Sequence, residues 1–284
     1  MSLLVAYLRL VVFFTFSAIM LTVIGIAAAV KPGTLAYWGP SEVWIRGILR
    51  IFGVTLEVSG RENLDPDRTY VVMANHRSQL DPVAMGVAML PRVTRWVAKK
   101  ELRRVPILGK ALELSGQIFI DRGDTSSAVN ALSSHAGDRD ALICFFPEGH
   151  RSSTREMLPF KKGAAAFAIS SRMSVLPMAV SGSERCIPNH SVVSTPGTIR
   201  VALGKPIDTT GMTEDDRAAL TEKVRAQIET MLIALEGPPP PSEKSWQRKG
   251  PVAKPEGSAA KPNGPVDKPN GPVDKKGPQP AGMS

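Results

Sequence analysis

Residues 71–82 read VVMANHRSQLDP, which predicts a strand, a polar loop and the start of a helix in direct succession. The residues from Val71 to Ala74 are apolar and strand-forming. Pro82 suits the first turn of a helix, where its missing N–H is not needed. A strand that leads through a short loop into a helix is a building unit of α/β domains.

The same alternation continues on both sides of this stretch. Short β-rich segments bounded by turn residues predict seven strands, at 54–60, 69–75, 94–100, 117–122, 141–147, 175–182 and 199–206. Helical stretches lie between several of them, at 80–90, 101–115, 124–136 and 161–172. We therefore expect an α/β fold with a largely parallel central sheet flanked by helices.

Two local signals refine this expectation. Pro177 lies inside the apolar segment 175–182, and proline cannot donate a ladder hydrogen bond, so an edge strand or an irregular position is expected there. The segment 213–236 predicts a strong helix, because Thr213 can cap it and apolar residues recur along one face.

The N-terminal region differs from the rest of the chain. Leu10 to Val30 contains no charge and would span about 31 Å as a helix, the thickness of a hydrocarbon core. A cleaved signal peptide is the alternative, because Ala27–Ala29 offers a cleavage site, although the apolar run exceeds the usual length. Basic residues after the run favour a single anchor in the cell membrane, with the following domain on the cytoplasmic side.

Composition divides the chain into four regions. We expect an anchoring helix at 1–31, an interfacial helix and linker at 32–53, the main domain at 54–236 and a disordered Pro/Gly/Lys-rich tail at 237–284. The helix that contains Trp44 and Phe52 could equally pack on the domain core. The net charge of +9 suits an anionic membrane surface, nucleic acid or phosphorylated substrates, and does not choose among them.

The loop after the first buried strand carries two residues with catalytic potential. Asp81 follows His76 by five positions, and the loop between them can fold back so that the carboxylate accepts a proton from one imidazole nitrogen. That bond would fix the tautomer and leave the other nitrogen free as a base. In the alternative interpretation, Asp81 only caps the next helix and His76 is a surface residue.

A second polar turn follows the strand at 141–147, in the stretch CFFPEGHRS at 144–152. Gly149 lets the backbone turn or approach a ligand closely, and Arg151 can bind a phosphate through two hydrogen bonds. Lys161 and Lys162 precede a helix of small residues, where an anion is favoured. A surface salt-bridge network is the alternative. The two cysteines, Cys144 and Cys186, lack metal-ligand spacing.

Four blocks in this order resemble the glycerolipid acyltransferase family. They are Asn75-His76 to Asp81, the stretch GQIFIDR from Gly116 to Arg122, FPEGHRS from Phe146 to Ser152, and VLPMA from Val175 to Ala179. The resemblance covers roughly residues 54–207. His150 departs from the threonine that is usual in this family, which puts the acceptor preference in doubt.

The resemblance implies an enzyme that acylates lysophosphatidate to phosphatidate in phospholipid biosynthesis. His76 is then the general base, Asp81 orients it, and the acceptor hydroxyl attacks the thioester of acyl-CoA or an acyl-carrier protein. Arg151, with Arg122 and Lys162, would hold the acceptor phosphate. Glu148, beside Gly149, would contact the acceptor glycerol or orient Arg151. Membrane lipids are expected partners, while no nucleic acid, metal or cofactor is expected.

Three other interpretations stay open at this point. The acceptor can be another lyso-lipid, such as a lyso-ornithine lipid or lysophosphatidylinositol. The protein can also be a membrane-tethered lipid-binding protein without turnover. A metal-dependent hydrolase that uses His76, Asp81 and Glu148 is the third, and the lack of a second nearby histidine argues against it.

Overall fold

The structure is a computed structural model that describes residues 3–30, 37–121, 131–135, 141–188, 191 and 193–237. Its strands are β1 Val54–Ser59, β2 Val71–Ala74, β3 Val93–Lys99, β4 Ile118–Ile120, β5 Ala141–Phe145, β6 Val175–Ser181 and β7 Gly197–Leu203. They form one sheet in the order β1–β7–β6–β2–β5–β3–β4. Neighbours pair in parallel except β6 and β7. The seven predicted strands and the largely parallel sheet are confirmed.

The helices lie before, between and after these strands. They are α1 Leu3–Val30, α2 Trp38–Ile51, α3 Asp81–Ala88, α4 Leu108–Leu114, α5 Gly163–Ser171, α6 Ser183–Cys186 and α7 Arg217–Glu236. The helix predicted at 101–115 is divided into a 3₁₀ turn, Lys100–Arg104, and α4. Pro106 explains the break, because the residue before a proline avoids helical angles, and Val105 is extended.

The central strands bury both faces, as a parallel sheet requires. On β2, Val71 and Met73 pack in the cluster that contains α5 and α7, whereas Val72 and Ala74 pack in the cluster that contains α2 and α3. Cys144 on β5 is fully buried in the second cluster, and burial raises the pKa of its thiol far above the ordinary value. The sheet is thus a rigid layer between two apolar cores.

The expectation of an edge strand at Pro177 is wrong, because β6 lies between β7 and β2 in the middle of the sheet. The irregular position that was the alternative is present. Gly204 donates to the carbonyl of Pro177, and Val175 bonds Ile207 in both directions, so one extra residue lies between these two contacts. The proline therefore lies opposite a bulge in residues 204–207, at the end of the β6–β7 ladder, where its missing N–H costs little.

Two helices precede the sheet and pack on it. α1 is the one helix among the described residues that is long and apolar enough to cross a membrane. One side of it contacts the domain: Leu21 and Ile24 pack with Ala111 of α4, and Trp44 of α2 donates to Ser17. Much of its remaining apolar surface is exposed. α2 buries Ile48 in the core cluster on this face of the sheet, so it packs on the domain, while its place at a membrane interface stays a prediction.

α7, the last helix among the described residues, covers the face of the sheet opposite α2 and α3. A capping box formed by Thr213 and Asp216 starts the segment, as predicted, and Leu220, Val224 and Ile228 of α7 are buried in the core. Most of the helix predicted at 124–136 lies outside the described residues. The tail predicted at 237–284 does too, apart from Gly237.

Candidate active site

The residue after β2, Asn75, has a side-chain amide that pairs with the neighbouring strand as a backbone peptide group would. The Asn75 side chain is fully buried, donates to the carbonyl of Val180 at 2.9 Å and accepts from the N–H of Val180 at 2.8 Å. Both strand-pairing groups of Val180 on β6 are thus satisfied beyond the end of the β2–β6 ladder. This amide bridge fixes where β2 ends, and hence where His76 begins the loop.

His76 and Asp81 form the predicted pair. Nδ1 of His76 lies 2.8 Å from Oδ2 of Asp81, whose side chain is fully buried. The same oxygen accepts the backbone N–H groups of Arg77 and Ser78 at 2.7 and 2.8 Å. Asp81 makes no side-chain cap to α3, so the helix-cap interpretation is wrong. An ionised carboxylate only accepts hydrogen bonds, so it holds the proton on Nδ1 and leaves Nε2 unprotonated in the neutral ring.

Ser183 supplies a further donor to this carboxylate. Its hydroxyl is fully buried and donates to Oδ1 of Asp81. Ser183 lies just after β6 and follows Gly182, whose φ of 89° lets the chain turn back toward the β2 loop. The result is a hydrogen-bonded series of Ser183, Asp81 and His76, which a histidine base and its orienting carboxylate require.

The ring of His76 is held by stacking as well as by Asp81. Its centroid lies 3.9 Å from that of Phe146 with an angle of 15° between the planes, and Trp96 stacks on Phe146 at 5.5 Å. Phe146 is the residue after β5 and Trp96 lies on β3, so neighbouring strands support the ring. The His76 side chain keeps 17% of its surface exposed, which leaves it accessible to a substrate.

Glu148 joins the two polar loops. One carboxylate oxygen accepts the backbone N–H of His76 at 2.7 Å, and the other accepts that of Leu158 at 2.8 Å. The side chain is buried, and burial raises the pKa of Glu148, although these two hydrogen bonds partly oppose the shift. The described residues show no ion pair between Glu148 and Arg151, and both carboxylate oxygens of Glu148 bind backbone N–H groups instead.

The turn at Gly149 brings basic side chains to the same region. Its φ of 81° lies in the left-handed range, and a Cβ there would lie 3.1 Å from Nζ of Lys161. Lys161 also donates its backbone N–H to Pro147. Arg151 is partly exposed, whereas Lys162, the residue before α5, is exposed. Arg122 lies outside the described residues.

An apolar cavity of about 560 Å³ begins beside the His76 loop at Gln79 and Leu80. It extends toward the N-terminal helices, and its walls include Phe13, Ser17, Trp44, Ile48, Pro106 and Ile107. Its volume lies within the usual range for small-molecule sites, and its lining is mostly apolar. The arrangement is a histidine bonded to a buried carboxylate, near an apolar cavity and a basic turn. Among the described residues, no group of three His, Cys, Asp or Glu side chains is placed to bind a metal ion.

Sequence reasoning missed part of this arrangement. Asn75 was recognised as a neighbour of His76 but not as a bridge to Val180. Ser183 gave only a weak signal, namely a serine after a strand-end glycine, whereas Lys161 was already predicted with Lys162 to favour an anion. Phe146 stood only as the first residue of the FPEGHRS block, without any sign that it stacks on His76. Contacts between residues so far apart become visible only when the topology is known.

Comparison with known proteins agrees with this architecture. The family model described as Acyltransferase matches residues 55–181. Human 1-acyl-sn-glycerol-3-phosphate acyltransferase alpha is 34% identical over 184 residues, which cover 64% of this chain and 65% of the human protein. The 1-acyl-sn-glycerol-3-phosphate acyltransferase of Saccharomyces cerevisiae is 35% identical over 199 residues, which cover 68% of this chain and 65% of the yeast protein. The match thus spans just under two thirds of each relative.

A solved structure has the same fold. The crystal structure of the 1-acyl-sn-glycerophosphate acyltransferase from Thermotoga maritima superposes with a TM-score of 0.68 at 22% identity. The superposition covers 82% of this chain and 97% of that protein. Residues 55–181 therefore match the acyltransferase family, and 1-acyl-sn-glycerol-3-phosphate acyltransferases are among the proteins to which this chain is similar.

Proposed function

We propose that this protein transfers a fatty acyl group from an acyl thioester to the hydroxyl of lysophosphatidate, which gives phosphatidate for phospholipid biosynthesis. The observation that carries the proposal is the His76–Asp81 pair, 2.8 Å apart in the loop after β2, which also contributes Gln79 and Leu80 to the wall of an apolar cavity. The activity after which the human and yeast relatives are named supports the same reaction class.

In this reaction His76 is the general base. Nε2 removes the proton from the acceptor hydroxyl as its oxygen attacks the thioester carbonyl, and the tetrahedral intermediate then expels the thiolate. The imidazolium returns the proton to the departing sulfur. Asp81 stabilises the imidazolium and keeps the ring in place, and no covalent acyl-enzyme is required. Base catalysis of this type supplies about 10²–10⁴ in rate, and positioning of the two substrates supplies more.

The acceptor phosphate binds at the basic turn. Arg151 is partly exposed and can contact the phosphate through two parallel hydrogen bonds, with Arg122 and Lys162 as further cationic partners. Lys161 is an additional candidate, because its ammonium lies against Gly149. Gly149 keeps the turn open enough for a ligand to approach. In this proposal Glu148 positions the turn and His76 and borders the site of the glycerol.

The acyl chain of a substrate occupies the apolar cavity. The cavity begins at Gln79 and Leu80, close to the base, and is walled by Phe13 of α1 and Trp44 of α2. Burial of methylene groups there stabilises the complex by about 0.8 kcal/mol each. The donor is acyl-CoA or an acyl-carrier protein, and both present the same thioester to His76.

The exposed apolar side of α1 fits a membrane, so we assign residues 1–31 as an uncleaved anchor and 32–53 as the connection to the acyltransferase domain at 54–236. Contacts of α1 with Ala111 and Trp44 support its retention, because cleavage would uncover α2 and α4. We place the domain on the cytoplasmic side of the cell membrane. A new N-terminus near residue 30 in mass spectra of the membrane-bound protein would overturn this assignment.

The decisive experiment uses the full chain purified in detergent, with lysophosphatidate and a panel of acyl-CoA and acyl-carrier-protein thioesters. His76→Ala and Asp81→Asn should each lower kcat by about 10²–10⁴. His135→Ala is the matched control, because His135 makes only local hydrogen bonds within its own turn. If His76→Ala keeps the wild-type turnover, the general-base mechanism fails. If the wild type acylates only a phosphate-free lyso-lipid, the acceptor assignment fails.

A further inference from the structure

The last residue of α7 reaches into the active-site region from outside the part of the chain that the family model matches. Glu236 lies 159 positions after Arg77, and its Oε1 accepts from Nη1 of Arg77 at 2.6 Å. Both side chains are nearly buried, with 6% and 2% of their surface exposed. Arg77 is the residue next to His76, and its backbone N–H is one of the donors to Asp81.

The same carboxylate also holds the loop that follows the second polar turn. Arg155 donates from Nε to Oε2 of Glu236 at 3.2 Å and from Nη2 to the Glu236 carbonyl at 3.1 Å. The second guanidinium nitrogen of Arg77 donates to the carbonyl of Arg155. Glu236, Arg77 and Arg155 therefore form a closed triangle that links the end of α7 to both loops.

This triangle rests on one carboxylate. Among the described residues, Glu236 is the one carboxylate that forms an ion pair with Arg77. Nε of Arg77 is buried without a hydrogen-bond partner, so the guanidinium depends on its two other nitrogens. Removal of one partner from a buried ion pair leaves an uncompensated charge, which moves toward water or draws water in. Either response displaces the backbone of the His76 loop.

We propose that Glu236 is a positioning residue that holds the His76–Asp81 loop and the loop at 153–158 in their reactive arrangement through Arg77 and Arg155. The kinetic part of this inference rests on the proposed function. Glu236 touches no substrate in this assignment and acts through the two arginines. A displacement of about 1 Å in a reacting group costs roughly 10²-fold in rate, so a tether outside the substrate site can control turnover.

The test compares Glu236→Gln with Glu229→Gln in the full chain. Glu229 lies on the same helix, is 48% exposed and makes only a long contact of 3.8 Å with Arg225, so its variant should match the wild type. Glu236→Gln should lower kcat at least tenfold, with KM for acceptor and donor changed less than about threefold, because positioning for the reaction is lost while binding remains. Wild-type kcat in Glu236→Gln would overturn the proposal.

A pair of shortened chains separates this carboxylate from the tail. A chain that ends at Gly237 keeps Glu236 and should retain the wild-type kcat, whereas a chain that ends at Leu235 should behave as Glu236→Gln does. The double variant Arg77→Met with Glu236→Met removes both buried charges and should recover part of the lost kcat. Equal activity of the two shortened chains would contradict the proposal.

Hydrogen–deuterium exchange tests the tether without any substrate. Glu236→Gln, but not Glu229→Gln, should speed amide exchange in residues 76–80 and 153–158. If the wild type proves to have no acyltransferase activity, faster exchange in these two loops still supports the tether, and unchanged exchange refutes it. If exchange rises but kcat is unaffected, Glu236 has only a structural role and the positioning assignment is wrong.

Discussion

The backbone N–H of His76 donates a hydrogen bond of 2.7 Å to the carboxylate of Glu148, so a residue of the second polar turn holds the His76 loop directly. The other carboxylate oxygen holds Leu158. Glu148 thereby links the two loops by hydrogen bonds, and its buried carboxylate needs both oxygens as acceptors.

Glu148→Gln should impair turnover more than substrate binding. An amide offers only one acceptor oxygen, and its NH₂ group would face the N–H of His76 or that of Leu158, which leaves a buried donor unsatisfied at a cost of about 1–3 kcal/mol. We expect kcat to fall about tenfold or more while KM for the acyl thioester changes little. Steady-state kinetics would check this, and an unchanged kcat would mean that turnover does not depend on the two hydrogen bonds of Glu148.

Ser183→Ala should change the pH dependence of the reaction. Without the serine hydroxyl, Asp81 loses one hydrogen-bond donor, so its carboxylate stabilises the imidazolium of His76 more strongly. The acid limb of log(kcat/KM) should therefore move to higher pH. A pH profile measured beside Ser183→Thr, which restores a hydroxyl, is the check. A limb at the wild-type position in Ser183→Ala would rule out this role.

Arg151→Lys should raise KM for lysophosphatidate. Lysine keeps the charge but loses the two parallel hydrogen bonds, at a cost of about 1.5–3 kcal/mol, or roughly ten- to a hundredfold. Because Glu148 bonds backbone groups, the loss of Arg151 does not leave that carboxylate unpaired. The decisive comparison is with a phosphate-free lyso-lipid. An equal rise of KM for both acceptors would mean that Arg151 does not contact the phosphate.

Glu236 predicts a pH dependence of stability. Burial opposes its ionisation, but the nearby Ser181 hydroxyl, the charge of Arg77 and the hydrogen bonds from Arg77 and Arg155 outweigh burial and lower the pKa of Glu236 below its ordinary value. A carboxyl whose pKa is lower in the folded state stabilises the fold above its unfolded pKa, and this contribution disappears as pH falls through the folded value. Glu236→Gln should therefore lower Tm at pH 7, and the difference from wild type should shrink below about pH 4.

Denaturation in detergent at several pH values measures this difference, with Glu229→Gln as the control. A Tm difference for Glu236→Gln that stays constant from pH 7 to the acid range would contradict an ionised Glu236 in the folded protein. A loss of equal size in Glu229→Gln would assign the effect to α7 in general and not to the buried pair.

The strands and the His76–Asp81 pair could be predicted from sequence because their determinants are local. Four apolar strand-forming residues before His76 place the end of β2, and the five-residue spacing lets Asp81 fold back. The edge strand predicted from Pro177 was wrong, because the sequence around the proline does not reveal the bulge at residues 204–207 that lets a central strand contain it. Local patterns therefore identify elements better than they identify an element's neighbours.

The supporting contacts could not be predicted because their partners are distant in sequence. Asn75 bonds Val180 across 105 positions, and Arg77 bonds Glu236 across 159. Asparagine, serine and glutamate are common surface residues, so nothing in their identity marks them as buried. Only the folded arrangement, in which β6 and β2 are neighbours, brings these side chains together near the carboxyl ends of the two strands.

The place of β1 at one edge of the sheet has a consequence for biosynthesis. Among the described strands its one neighbour is β7, so Glu57 meets Arg200 from 143 positions further along the chain. A ribosome that adds about 5–20 residues per second needs roughly 7–30 s to deliver that partner. Throughout this delay β1 is an unpaired apolar segment directly behind α1 and α2. We expect early capture of α1 by the translocation machinery or the bilayer to protect the nascent chain from aggregation until β7 emerges.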